Sequence, residues 1–223
     1  QKGLAQFLQR EDGTFPNDPD VEKPVATVKN AKSGKKDDAG TEAFANVRLD
    51  VDDVNGDGRA DLLATRTLGE LGVFETLRTQ QLIFLGRKDG AWDESKPDVV
   101  LNLKGVSDDP VLIDWDGDGR RDLILSSYRM DMFTNLKRAI TEDMTVTYMI
   151  FRQQAGGVFE SDPSFVLSTD VPLSDLERRG GIKAMLFTAD LNGDGIRDMI
   201  ARRVDRLEVE LGLLDDGDPA FDS

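Results

Sequence analysis

The sequence predicts an all-β protein assembled from repeated four-stranded antiparallel sheets. Three observations carry that expectation. An acidic loop recurs three times, as DVNGDGRADLL at 53–63, DWDGDGRRDLI at 114–124 and DLNGDGIRDMI at 190–200. Each copy sits between short apolar stretches that alternate or run continuously, the pattern of strands flanking a Gly-rich turn. A second signal then recurs: an apolar stretch, a turn containing Asp-Gly or Gly-Gly, and an aromatic residue that opens the next strand. One unit is therefore strand, acidic loop, strand, connection, strand, Gly turn, strand.

Taken in order, residues 4–15 carry only the second signal, QFLQREDGTF at 6–15, and supply the last two strands of a unit. Residues 16–43 hold Pro16, Pro19, Pro24 and four lysines between Lys29 and Lys36, and read as a long mobile loop with solvated charges. The first full unit, 44–95, has Val47, Leu49 and Val51 before its loop, LLAT after it, and LIFLGRKDGAW at 82–92. The second, 110–162, has VLI, LILS and MIFRQQAGGVF; the third, 183–222, has AMLF, MIAR and VELGLLDDGDPAF. Two short helices are expected in the insertions. Phe133, Leu136 and Ile140 fall at helical spacing, and Ser174 with Glu177 makes a capping box over 174–179 that Gly180-Gly181 would end.

The first aspartates of the loops lie 61 and then 76 residues apart, a period that suits the four-stranded blade of a β-propeller with insertions. About three and a half blades fit in the chain, whereas propellers have about 4–8. The ring is therefore expected to be completed by missing sequence or by another chain.

With 43 acids against 28 bases, the formal charge is −15 and the pI about 4.4, which opposes nucleic acid and anionic membrane surfaces as partners. The three loops hold ten of those acids, and without them the charge would be −5. No cysteine is present, so disulfides and thiol chemistry are excluded. No stretch approaches the roughly 18 apolar residues of a membrane span, so no direct membrane insertion is expected. Residues 1–10 lack the charged and apolar regions of a signal peptide, so a soluble chain is expected whose export signal was removed or lay upstream.

Oxygen donors at positions 1, 3, 5 and 9 of each loop, with the carbonyl of position 7, form a set of hard ligands that suits Ca²⁺. Glycine at position 6 permits the sharp turn that aims them inward. Zinc is disfavoured because the chain has no His and no Cys. An EF-hand or dockerin loop starts similarly but needs an acid at position 12, where Ala64, Leu125 and Ala201 stand here. The competing reading is a metal-free turn held by Asp and Asn side chains. Against it, the four carboxylates of the second loop would repel one another without a cation.

These loops, the apolar strand after each and the DGTF-type turn resemble FG-GAP/VCBS repeats, the blades of integrin-α-like β-propellers, over residues 4–221 less the long insertions. The resemblance implies up to three Ca²⁺ ions. Their ligands would be Asp53, Asn55, Asp57, the Arg59 carbonyl and Asp61; Asp114, Asp116, Asp118, the Arg120 carbonyl and Asp122; and Asp190, Asn192, Asp194, the Ile196 carbonyl and Asp198. The Phe-Gly and Gly-Ala-Pro signatures are missing apart from a loose FLG at 84–86, which points to the bacterial-type VCBS form and away from an integrin-like ligand.

The function expected is a calcium-stabilised, extracytoplasmic module that binds a protein or glycan and is not an enzyme. No His, Cys or G-x-S-x-G elbow is present, and the clustered carboxylates are taken by the cation. The alternatives are a structural subunit of a larger extracellular or periplasmic assembly, or the non-catalytic part of a polysaccharide-degrading enzyme. Antiparallel strands reverse at each link, so the long insertions 16–43, 66–80, 127–145 and 160–182 should all emerge opposite the acidic loops. Phe74, Leu77, Phe133 and Leu136 would give that face its apolar anchors.

Overall fold

A strand with both faces covered needs apolar residues at consecutive positions, and LLAT after the first loop is such a run. In the computed structural model, which describes residues 4–23, 44–69, 77–88, 90, 92–93, 95–129, 143–172, 185–202 and 206–222, every regular element among them is a β-strand. The first sheet is β3 (Phe44–Asp52), β4 (Asp61–Leu68), β5 (Arg78–Phe84) and β6 (Val99–Lys104), antiparallel and in sequence order. In the second, β9 (Asp122–Tyr128), β10 (Asp143–Phe151) and β11 (Phe165–Pro172) follow a split first strand. Its two pieces, β7 (Val106–Ser107) and β8 (Val111–Ile113), both pair with β9, and Pro110 lies in the break because it cannot donate to the ladder. The third sheet is β12 (Met185–Ala189), β13 (Asp198–Arg202), β14 (Leu207–Asp215) and β15 (Asp218–Asp222). β1 (Leu4–Gln6) and β2 (Val21–Lys23) form a separate two-stranded ladder.

Alternation of side chains divides the sheets between shared cores. Counting from the first Asp of each loop, positions 10 and 12 face the preceding sheet, and positions 2 and 11 face the following one. Leu123 and Leu125 thus meet Val54, Leu63, Ile83 and Leu101 between the first two sheets. Trp115, Ile124 and Ile150 meet Phe187, Met199 and Ala201 between the second and third. Phe221 closes that second core, its ring centroid 5.6 Å from Trp115 and 4.9 Å from Phe165. The third sheet breaks the series on its forward face. Leu191 at position 2 is 55% exposed where Val54 and Trp115 are both 0%, and Val209, which takes the place of the fully buried Ile83 and Ile150, is 47% exposed.

Several boundaries differ from the sequence expectation, for one reason. The aromatic after each Gly turn does not open the next strand in the first two sheets; it stays in a link of 13 or 14 residues. Trp92 Nε1 donates to the Ala60 carbonyl, and Phe159 is buried in the core between the first two sheets. Pro97 and Pro163 then delay pairing, since each lacks a donor. The sheets accordingly end at Lys104 and Pro172 and not at 95 and 162. In the same way β1 pairs with Val21–Lys23, inside the segment expected to be loop, while Phe15 is exposed. Only in the third sheet is the turn itself the hairpin, with Asp216 at φ 50° and Gly217 at φ 89°, the two positive values of a type I′ turn. The two expected helices and Phe74, Phe133 and Leu136 lie outside the described residues.

Candidate metal centre

Each acidic loop is folded by its own side chains before any cation is considered. The position 1 carboxylate accepts the N–H of position 6: Gly58 at 2.9 Å, Gly119 at 3.0 Å and Gly195 at 3.0 Å. Position 3 accepts from position 5, through Asn55 (3.1 Å), Asp116 (3.2 Å) and Asn192 (3.0 Å). Position 5 accepts from position 7, through Asp57 (3.0 Å), Asp118 (2.8 Å) and Asp194 (2.8 Å). Two left-handed residues make the turn possible, positions 4 and 6, at φ between 71° and 93° in all three copies. The glycine at position 4 is thus as necessary as the one at position 6, although only position 6 was expected to need it.

The position 9 aspartates behave differently from the others. Asp61, Asp122 and Asp198 are all fully buried. Each accepts from the position 2 N–H with one oxygen: Val54 (2.8 Å), Trp115 (3.0 Å) and Leu191 (2.6 Å). The other oxygen accepts a backbone N–H just beyond the third strand, or within it in the last sheet: Gly86 (2.6 Å), Gln153 (2.9 Å) and Gly212 (2.9 Å). These carboxylates therefore tie loop to sheet. Burial pushes the Asp122 carboxyl up to about 6, against the lowering effect of the Gln153 and Trp115 N–H groups and with Asp116 and Asp118 adding to the rise. Burial raises Asp61 in the same way.

Whether the loops fit a cation is best judged in the second. Ligand oxygens of Asp114, Asp116 and Asp122 come within 4.8 Å of one another, and the buried Asp114 Oδ1 has no hydrogen-bond partner. An unsatisfied buried carboxylate oxygen beside two more carboxylates is a costly arrangement that a hard cation relieves. Asp118 is turned instead toward Arg120, and Asp116 is held by Arg152 at 2.8 Å through Nε. The first and third loops share the backbone turn. There Asn55 and Asn192 stand in place of the Asp116 carboxylate, so each loop carries one negative charge fewer, and each donates to the position 5 carboxylate at 2.9 Å.

Residues outside the expected ligand set fasten the loops to one another. Arg121, at position 8, donates to the Asp53 carbonyl and pairs with Asp52; Arg197, at position 8 of the third loop, donates to the Asp114 carbonyl at 3.3 Å. Gln153 Nε2 donates to the Val54 carbonyl at 2.8 Å, and Arg152 Nη1 to the Gly217 carbonyl at 2.8 Å. Backbones approach so closely that a Cβ on Gly117 would lie 2.7 Å from the Gly195 carbonyl oxygen. The arginines at position 8 were visible as a recurring residue type, but their acceptors are 68 and 83 residues away.

On the opposite rim, the link between β4 and β5 leaves where Leu68 pairs with Arg78, and that between β9 and β10 where Tyr128 pairs with Val146, both far from the acidic loops. Leu77, expected as an exposed anchor there, is buried at 6% exposure. Its carbonyl accepts the Gly105 N–H at 2.7 Å, which draws it under the rim. No curated protein and no solved structure matches the chain. Residues 53–125, from the first acidic loop into the second strand of the next sheet, match the family of FG-GAP-like repeats.

Proposed function

We propose that this chain is a calcium-stabilised segment of a β-propeller that binds a protein or glycan partner outside the cytoplasm. The observation that carries the calcium reading is the buried, unpartnered Asp114 Oδ1 beside Asp116 and Asp122. Asp114, Asp116, Asp118, Asp122 and the Arg120 carbonyl would hold one ion, and the corresponding residues of the other loops would hold two more. Bound calcium supplies positive charge where carboxylates converge; the chain's own residues supply the turn. Extracellular calcium suits weak sites, whose Kd values run to about 10⁻³ M. Binding chemistry is proposed rather than catalysis, since the chain has no His, no Cys and no G-x-S-x-G elbow, and the clustered carboxylates are taken by the cation in this reading. The partner would meet the rim opposite the loops, where the links between second and third strands leave the first two sheets.

Calcium titration by calorimetry and a melt in EGTA test this. Each site held at tenfold its Kd adds about 1.4 kcal/mol to the native state alone, so the melting temperature should fall in chelator. Asp118→Ala should shrink that fall. A melt indifferent to EGTA would overturn the calcium reading, and undiminished partner binding after shortening the links 69–77 and 129–142 would overturn the proposed face.

A second reading, a part of a larger assembly, is favoured by the forward face of the third sheet. Ile83 and Ile150 are fully buried in the first two sheets, whereas Val209 in the same place of the third is nearly half exposed. Another sheet, from missing sequence or another chain, would complete it.

A further inference from the structure

A cleft of about 420 Å³ opens between the first two acidic loops, and two arginines line it, Arg59 and Arg120, together with Asn55, Asp57 and Gln153. Both occupy position 7. Both are anchored alike: Arg59 Nε donates to the Gly86 carbonyl and Arg120 Nε to the Gln153 carbonyl, each at 2.8 Å. Their Nη2 groups pair with the position 5 carboxylates Asp57 and Asp118. The third loop contributes no such guanidinium, because its position 7 is Ile196.

We propose that this cleft binds a carboxylate, such as that of an acidic sugar, and that it becomes available when the first two loops take up their cations. The inference rests on the calcium reading. In that reading Asp57 and Asp118 are ligands, and a divalent ion competes with the guanidinium for their oxygens. Losing that pairing does not release the arginines, since the Nε anchors remain and each side chain has five N–H donors in a fixed fork. Two oriented guanidinium groups then face one cleft.

Net charge decides the order of events. The first two loops carry seven carboxylates, and three guanidinium groups, those of Arg59, Arg120 and Arg152, pair with them. An anion approaching the cation-free site meets a surplus of four negative charges, which two divalent ions cancel. Anion binding is therefore conditional on the cation. Reciprocity follows, because the factor by which calcium tightens the anion is the factor by which the anion tightens calcium.

The test is a calorimetric calcium titration of the full chain in sodium glucuronate, in sodium chloride of equal ionic strength, and in chloride with glucose. Glucuronate should lower the calcium Kd about fivefold, the lower end of ordinary coupling, and glucose should not. The double variant Arg59→Met, Arg120→Met should bind calcium at least as tightly as the parent, having lost two competing counter-ions, and should show no glucuronate effect. Should it fail to fold, Arg59→Lys with Arg120→Lys keeps the charge but not the fork, and should lose most of the effect. Calcium binding indifferent to glucuronate overturns the cleft alone, and so does a glucuronate effect that survives in the variants. No calcium binding in any buffer overturns the calcium reading with it.

Discussion

Asp61 shows how one side chain can hold a repeat together without touching solvent. Its two oxygens join the start of its loop to the residue two past β5, so Asp61→Ala strands two buried N–H groups. At about 1–3 kcal/mol for each, a loss near 3 kcal/mol is expected in urea unfolding, against under 1 kcal/mol for the exposed Asp57→Ala in chelator. Asp122 adds a pH dependence. Its folded carboxyl titrates at about 6 and an unfolded one near 3.8, so its contribution is full below the lower value and lost as pH rises through the upper. In chelator the parent should therefore become more stable from pH 7 to pH 5, Asp122→Asn less so, and saturating calcium should flatten the difference. The donors at positions 1, 3 and 5 were legible because their partners lie within five residues. The tie made by position 9 was not, because the backbone N–H that donates to it is up to 31 residues away.

At the scale of the element, apolar alternation located the strands well, since a strand covered on both faces leaves few other ways to write its sequence. What it misplaced was the closing of the second hairpin. An Asp-Gly pair signals a turn but does not say whether the strand resumes at once, and in two sheets prolines and a buried aromatic keep the chain in a link. Gly86, in the first of those links, is needed for space and not for a left-handed φ. A Cβ there would lie 2.4 Å from the Ala60 carbonyl oxygen, a backbone atom that cannot rotate away. Gly86→Ala should cost about 2 kcal/mol by overpacking, read as a lower urea midpoint with an unchanged slope.

For the whole molecule, the repeat count and the four-stranded unit were readable from three motifs, but the uncovered face was not, because Ile200 and Ile124 stand in matching places of their motifs and differ only in whether another sheet packs over them. The difference is measurable. Ile83→Lys puts a charge in a filled core and should prevent folding, while Val209→Lys, in the equivalent row of the third sheet, should change the stability of this chain by less than about 0.5 kcal/mol. Equal damage from both would mean that the forward face is covered. The arginine clasps have a consequence for how such a chain can lengthen. The second acidic loop contains both halves of a joint, the backward-reaching Arg121 at position 8 and the forward-offered carbonyl of Asp114 at position 1. A tandem duplication of that second unit would therefore arrive with its coupling already installed at both ends, whereas a copy of the first, with Ala60 at position 8, would lack the backward half.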